Sequence, residues 1–188
     1  MAMTATPYGG IEGLLRIESR SFPDERGFFM ESFREDDWKK AGLPDLRQDN
    51  LSRSKRGVIR GLHYQKSPKA IGKLVRCARG RIFDVAVDLR RGSPTYGKWA
   101  SIELSDEGNA MFWVPVGFAH GFCALSAEAD VSYKVTDYWS PDVDGGVLWN
   151  DPAIGVRWPL PASEVLVSAK DAALPLLSAA VHDFAWKP

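Results

Sequence analysis

The sequence predicts one all-β domain spanning residues 1–188, and three observations carry that prediction. Apolar residues alternate or cluster in short runs, turn residues interrupt those runs about every 8 to 15 positions, and helical patterns are scarce. Many short strands at such spacing indicate a sandwich or barrel. A chain of 188 residues is long enough to bury a core without disulfides or a structural metal.

Taken in order, Asp24-Glu-Arg-Gly27 is a charged turn leading into the strand-like Phe28-Phe29. Glu35 to Ala41, stopped by Gly42 and Pro44, reads as a short helix. Gly57-Val-Ile-Arg-Gly-Leu-His-Tyr-Gln65 is an apolar strand interrupted by an arginine and a histidine. Arg81 to Leu89 alternates strictly: Phe83, Val85, Val87 and Leu89 share one face, and Ile82, Asp84, Ala86 and Asp88 the other. Ala110 to Val114 and Gly121 to Leu125 are continuous apolar strands. Asp130 to Thr136 alternates again, with Val131, Tyr133 and Val135 on one side. Ser168 to Ala173 forms a second short helix. No repeat, low-complexity segment or linker divides the chain.

Charge narrows the function classes. Twenty-four basic residues balance 24 acidic ones, so no net field favours nucleic acid. No apolar run approaches the ~18 residues of a membrane span. Met1 to Gly10 lacks a basic region followed by an apolar core, so a secretory signal is not expected and a cytoplasmic location is. Cys77 and Cys123 lie in apolar strands and are expected to be buried thiols rather than a disulfide.

The run from Gly57 to Gln65 holds one of only three histidines, His63, three residues after Arg60. Imidazole moves protons near neutral pH, and guanidinium is a forked partner for phosphate. Lys73, Tyr133 and Asp171 complete a set suited to enolising a phosphorylated substrate: a base, an anion anchor, an oxyanion stabiliser and an acid. Polar residues on inward strand faces are costly to bury unless they bind something, which singles out His63, Lys73, Asp84 and Tyr133. Strict alternation places Arg60 and His63 on opposite faces, unless Gly61 permits a bulge.

Several segments occur in order along the chain: Phe22-Pro-Asp-Glu-Arg-Gly-Phe-Phe-Met-Glu31, Arg47-Gln-Asp-Asn-Leu-Ser52, Val58 to Gln65, Phe83 to Leu89, Val116-Gly-Phe-Ala-His-Gly-Phe122, Tyr133-Lys-Val-Thr136, Trp149-Asn-Asp-Pro152 and Ser168-Ala-Lys-Asp171. With these segments the sequence resembles the dTDP-4-dehydrorhamnose 3,5-epimerase family over nearly its whole length. The resemblance implies a double-stranded β-helix, or cupin-type jelly roll, acting as a homodimer without metal or organic cofactor. Its substrate would be a dTDP-4-keto-6-deoxyhexose, epimerised at C3 and C5. His63 matches the base and Asp171 its dyad partner, Tyr133 the general acid, and Lys73 the residue that meets the C4 oxygen. Asp84 and His120 match further polar positions of the pocket. Arg26 and Arg60 match diphosphate-binding positions, and Phe29, Glu31, Gln48 and Asn50 match positions around the nucleoside. Parts of the nucleotide site can come from the partner subunit in this family. Trp139 stands where the family commonly has tyrosine, which raises a single-site epimerase, inverting C3 or C5 alone, as an alternative.

Two readings of other classes compete. A metal-dependent cupin uses a His-x-His pair, but the position two after His63 is Gln65. A non-catalytic sugar-nucleotide-binding jelly roll would keep the arginines and aromatics without needing His63, Tyr133, Lys73 and Asp171 together.

Overall fold

The structure, a computed structural model, describes residues 3–187, and its regular elements are mostly β-strands with two short α-helices and three 3₁₀ turns. One six-stranded antiparallel sheet runs β1 (Met3–Pro7), β2 (Leu15–Ser19), β10 (Ala110–Val114), β7 (Lys73–Arg79), β12 (Glu128–Val135), β5 (Gln48–Lys55). The second sheet runs β13 (Asp144–Gly146), β6 (Val58–Gln65), β11 (Phe118–Ala124), β8 (Arg81–Asp88), β9 (Trp99–Ser105), with β14 (Leu166–Val167) paired parallel to β6. A separate hairpin joins β3 (Ser21–Asp24) to β4 (Gly27–Met30). The fold is the jelly-roll sandwich expected of the sequence.

Alternation decides what lies between the sheets. Val75, Phe112, Val114 and Val131 from the first sheet meet Ile82, Ala86, Ile102, Phe118 and Phe122 from the second in one buried cluster. On β8, Ile82 and Ala86 face this core while Val85 and Val87, followed by Leu89 just past the strand, face outward, as the sequence pattern predicts. That outward face is covered by later chain, including Val147, Ile154, Ala180 and Phe184. The outer face of the first sheet is covered by Trp38 of the short helix α1 (Glu35–Lys40), fully buried against Trp113 with ring centroids 5.1 Å apart. Acidic residues in the first turn of α1 and lysines in its last complement the helix dipole. Cys77 and Cys123 are free and buried, and burial pushes each thiol up to about 11.

The conflict over Arg60 and His63 is resolved by a bulge. His63 pairs with His120 of β11, and Arg60 pairs with Phe122, so three steps on β6 match two on β11. The extra residue inverts the alternation: Ile59 and Leu62 both point to the outer cover, while Arg60 and His63 both line the same cavity. Gly61 makes this possible. Its φ is +139°, and a Cβ there would sit 2.6 Å from Gly121 Cα.

Candidate active site

Strands of the two sheets line a cavity of about 570 Å³, which shares wall residues with a second of about 400 Å³. His63, Lys73 and Tyr133 line both. They come from opposite sheets: His63 from β6 in one, Lys73 and Tyr133 from β7 and β12 in the other.

His63 is oriented by Asp171. Its Nε2 lies 2.8 Å from Asp171 Oδ1, and the other carboxylate oxygen accepts the Gly61 N–H at 3.2 Å. Asp171 sits on the short helix α2 (Ala169–Ala172), where Ser168 caps by accepting the Asp171 N–H at 3.0 Å. Burial pushes the Asp171 carboxyl upward, but hydrogen bonds from His63 and Gly61 and the His63 charge outweigh it and hold it below the usual range. An ionised Asp171 takes the Nε2–H tautomer of His63 and leaves Nδ1, which has no protein partner among the described residues, as a proton acceptor.

Lys73 opens β7 as a buried cation, 8% exposed, with Nζ donating to the His63 carbonyl at 3.2 Å. Burial lowers its pKa to about 8, with Asp84 and Asp144 opposing the shift. Asp84 lies fully buried between Ile82 and Ala86 and accepts from His120 Nε2 at 2.8 Å, while its second oxygen has no partner. Burial lowers the His120 pKa, favouring neutral imidazole. Tyr133, half-buried, has its phenol pushed up by burial, so it keeps its proton at neutral pH.

Arg60 is held by Ser54 Oγ at 3.0 Å and the Arg53 carbonyl at 3.2 Å, with its guanidinium at the larger cavity. Gln48, Asn50 and Trp139 line the smaller one, where Gln48 donates to Asn50 at 2.8 Å. Arg26, Phe29 and Glu31 are not brought together with these residues. They lie on or beside the β3–β4 hairpin, with Arg26 paired to Asp24 and Glu31 to Arg34. Phe22, Phe28 and Phe29 are 47%, 56% and 67% exposed, so none of the hairpin phenylalanines serves the core.

Among the residues that sequence reasoning passed over, two charged ones belong to the cavity walls. Lys170 lines both cavities and pairs with Asp144 at 2.6 Å, and Asp144 lines the smaller. Lys170 stands beside Asp171 in a segment already singled out, whereas Asp144-Gly-Gly146 carries only the mark of a turn. Among the described residues no three His, Cys, Asp or Glu side chains cluster as metal ligands, and no helix is long and apolar enough to cross a membrane. The two cavity histidines are each engaged in a separate carboxylate pair.

Comparison with known proteins identifies the family. The family model described as dTDP-4-dehydrorhamnose 3,5-epimerase matches residues 9–179. The enzyme of that name from Salmonella typhimurium is 50% identical over 173 residues, covering 91% of this chain and 94% of the relative. That of Sinorhizobium fredii is 55% identical over 164 residues, covering 86% and 83%. The crystal structure of dTDP-6-deoxy-D-glucose-3,5-epimerase from Legionella pneumophila, in complex with dTDP-4-keto-L-rhamnose, superposes with a TM-score of 0.89 at 47% identity, covering 94% of each chain. With a carboxylate-backed histidine and a phenol facing one cavity from opposite sheets, this chain belongs to the dTDP-4-dehydrorhamnose 3,5-epimerase family.

Proposed function

We propose that the protein epimerises a dTDP-4-keto-6-deoxyhexose at C3 and C5. The observation that carries the reading is the placement of His63 and Tyr133 on opposite sheets around one cavity, with Lys73 alongside. Inverting a carbon by proton transfer needs a base on one face and an acid on the other.

The C4 ketone acidifies the protons on C3 and C5. His63 Nδ1 takes one such proton, and the C–H electron pair moves onto the C4 oxygen as an enolate. The Lys73 ammonium stabilises that oxygen by charge and hydrogen bonding. Tyr133 then gives its phenolic proton to the opposite face of the carbon, and the ketone returns with inverted configuration. The imidazolium and phenolate that remain exchange protons with solvent, resetting both groups. Asp84 and His120 brace the cation: the free carboxylate oxygen of Asp84 supplies negative potential beside Lys73. Arg60 and Lys170 suit the diphosphate, and Gln48 and Asn50 present amides to the remaining polar groups of the nucleotide.

Arg26, Phe29 and Glu31 enter this scheme through a homodimer. The hairpin presents three exposed phenylalanines beside a cation, a surface suited to covering a base and its phosphates in the partner's cleft. A monomeric mass by sedimentation would remove this part of the proposal.

The test is proton NMR of dTDP-4-keto-6-deoxy-D-glucose incubated with the protein in D₂O. Deuterium is expected at both C3 and C5. Label at one carbon alone would establish a single-site epimerase, and a bound substrate with no label would reduce the protein to a sugar-nucleotide-binding module.

A further inference from the structure

Gln65 closes β6 on the face that carries His63, and its side chain is only 2% exposed. The proton chemistry has no use for an amide at this position. Its hydrogen bonds are directed instead to two loops. Oε1 accepts the Ser140 N–H at 2.8 Å, and Nε2 donates to the Lys69 carbonyl at 2.7 Å and the Tyr138 carbonyl at 3.3 Å. One planar group thus joins the loop before β7 to the loop after β12.

Trp139 lies between the two tethered groups of the second loop, and its own N–H donates to Gln48 Oε1 at 3.1 Å. Three polar groups of two consecutive peptide units, Tyr138 C=O, Trp139 N–H and Ser140 N–H, are therefore held by side-chain amides. Core packing does not hold this segment: Tyr138 and Trp139 are 53% and 56% exposed. The other anchors are local or distant: the Tyr138 N–H donates to its neighbour Asp137 Oδ1 at 2.7 Å, the Ser140 carbonyl accepts the Val143 N–H at 3.4 Å, and the Lys69 ammonium lies 6.0 Å from the Tyr138 ring. Trp139 nevertheless forms a wall of the cavity that His63, Lys73 and Tyr133 share.

We infer that Gln65 is a positioning residue: it sets where the Trp139 wall stands, and through it how the sugar ring rests between His63 and Tyr133. The inference rests on the epimerase reading above. The amide is chemically specific for the task, because it must accept from one peptide N–H and donate to two carbonyls at once. A carboxylate would turn its charge on both carbonyls, and an apolar side chain of similar length would release all three groups.

The experiment compares the unaltered protein with Gln65→Met and Gln65→Glu by three measurements. These are amide hydrogen exchange of the 136–143 segment, dTDP affinity, and the kcat, KM and C3-to-C5 deuterium ratio for the keto sugar in D₂O. Both variants are expected to speed exchange at Trp139 and Ser140 about tenfold or more. Affinity for dTDP is expected to stay within about twofold, while kcat falls ~10–100-fold and the C3-to-C5 ratio changes. The activity of Gln65→Glu relative to the unaltered protein at the same pH is expected to rise as pH falls, because a protonated carboxyl recovers one donor; Gln65→Met has no such recovery. Faster amide exchange with unchanged kcat and label ratio would overturn the inference, as would unchanged amide exchange. Loss of dTDP affinity in parallel with kcat would also overturn it, showing general structural damage. No label with the unaltered protein would refute the epimerase reading itself, a result separable from these because amide exchange needs no substrate.

Discussion

Replacing Lys73 with methionine is expected to change how stability depends on pH. Burial lowers the ammonium from its ordinary 10.5 to about 8. Between those values the unfolded chain holds a proton that the folded chain has released, so the folded state gains stability as pH rises. The slope is ~1.4 kcal/mol per pH unit, and across the interval the gain is about 3 kcal/mol. Below pH 8 the folded protein carries the full cost of a buried charge. Methionine fills similar space without a titrating group, so the stability of the unaltered protein minus that of Lys73→Met is expected to climb by about 3 kcal/mol from pH 8 to 10.5. Urea unfolding of both proteins at several pH values between 7 and 10.5 measures it, and other titrating groups cancel in the difference. A difference that stays flat over this range would refute the assignment of Lys73 as a desolvated cation. The same substitution removes the charge offered to the enolate, and kcat is expected to fall ~10²–10³-fold.

Two further substitutions test the geometry around His63. Gly61→Ala places a Cβ 2.6 Å from Gly121 Cα and 3.0 Å from the His120 carbonyl at a φ of +139°; thermal unfolding is expected to show a loss of about 2–4 kcal/mol together with reduced activity, and an unchanged midpoint would contradict the tight bulge. Asp171→Asn would keep an oxygen toward the Gly61 N–H and turn an amide N–H toward His63 Nε2, forcing the proton onto Nδ1. Solvent-deuterium uptake into the sugar is expected to drop ~10²–10⁴-fold with dTDP affinity retained, and near-normal uptake would remove Asp171 from its role.

The strands were legible where one face is apolar throughout. Arg81 to Leu89 sorts into inner and outer faces from alternation alone, and this also places Asp84 in the interior. At Arg60 and His63 alternation fails, because the face of each depends on a one-residue mismatch with β11, a property of the pair of strands and not of either sequence. His63, Lys73, Tyr133 and Asp171 were found through a motif, and the cavity brings all four together. Gln65 enters the sequence reading only as a residue that cannot replace a metal-binding histidine, because its tethering role has no local signature: its partners, Lys69, Tyr138 and Ser140, meet only once β6 and β12 lie on facing sheets. The hairpin positions carry the opposite lesson. Their match to a motif says nothing of where they reach, and in a single chain they stand apart from the cavities.

Mounting the proton acceptor and the proton donor on different sheets gives the hydrophobic interior a second office. No hydrogen bond joins His63 to Tyr133 among the described residues; the gap between them is gauged by the thickness of the slab formed by Val75, Phe112, Val131, Ile82 and Phe122. Swelling of that slab under heat or mild denaturant separates the pair while every strand remains in its ladder. Turnover in such an architecture fades ahead of the backbone, and a methyl group lost deep in the interior is felt at the reacting carbon.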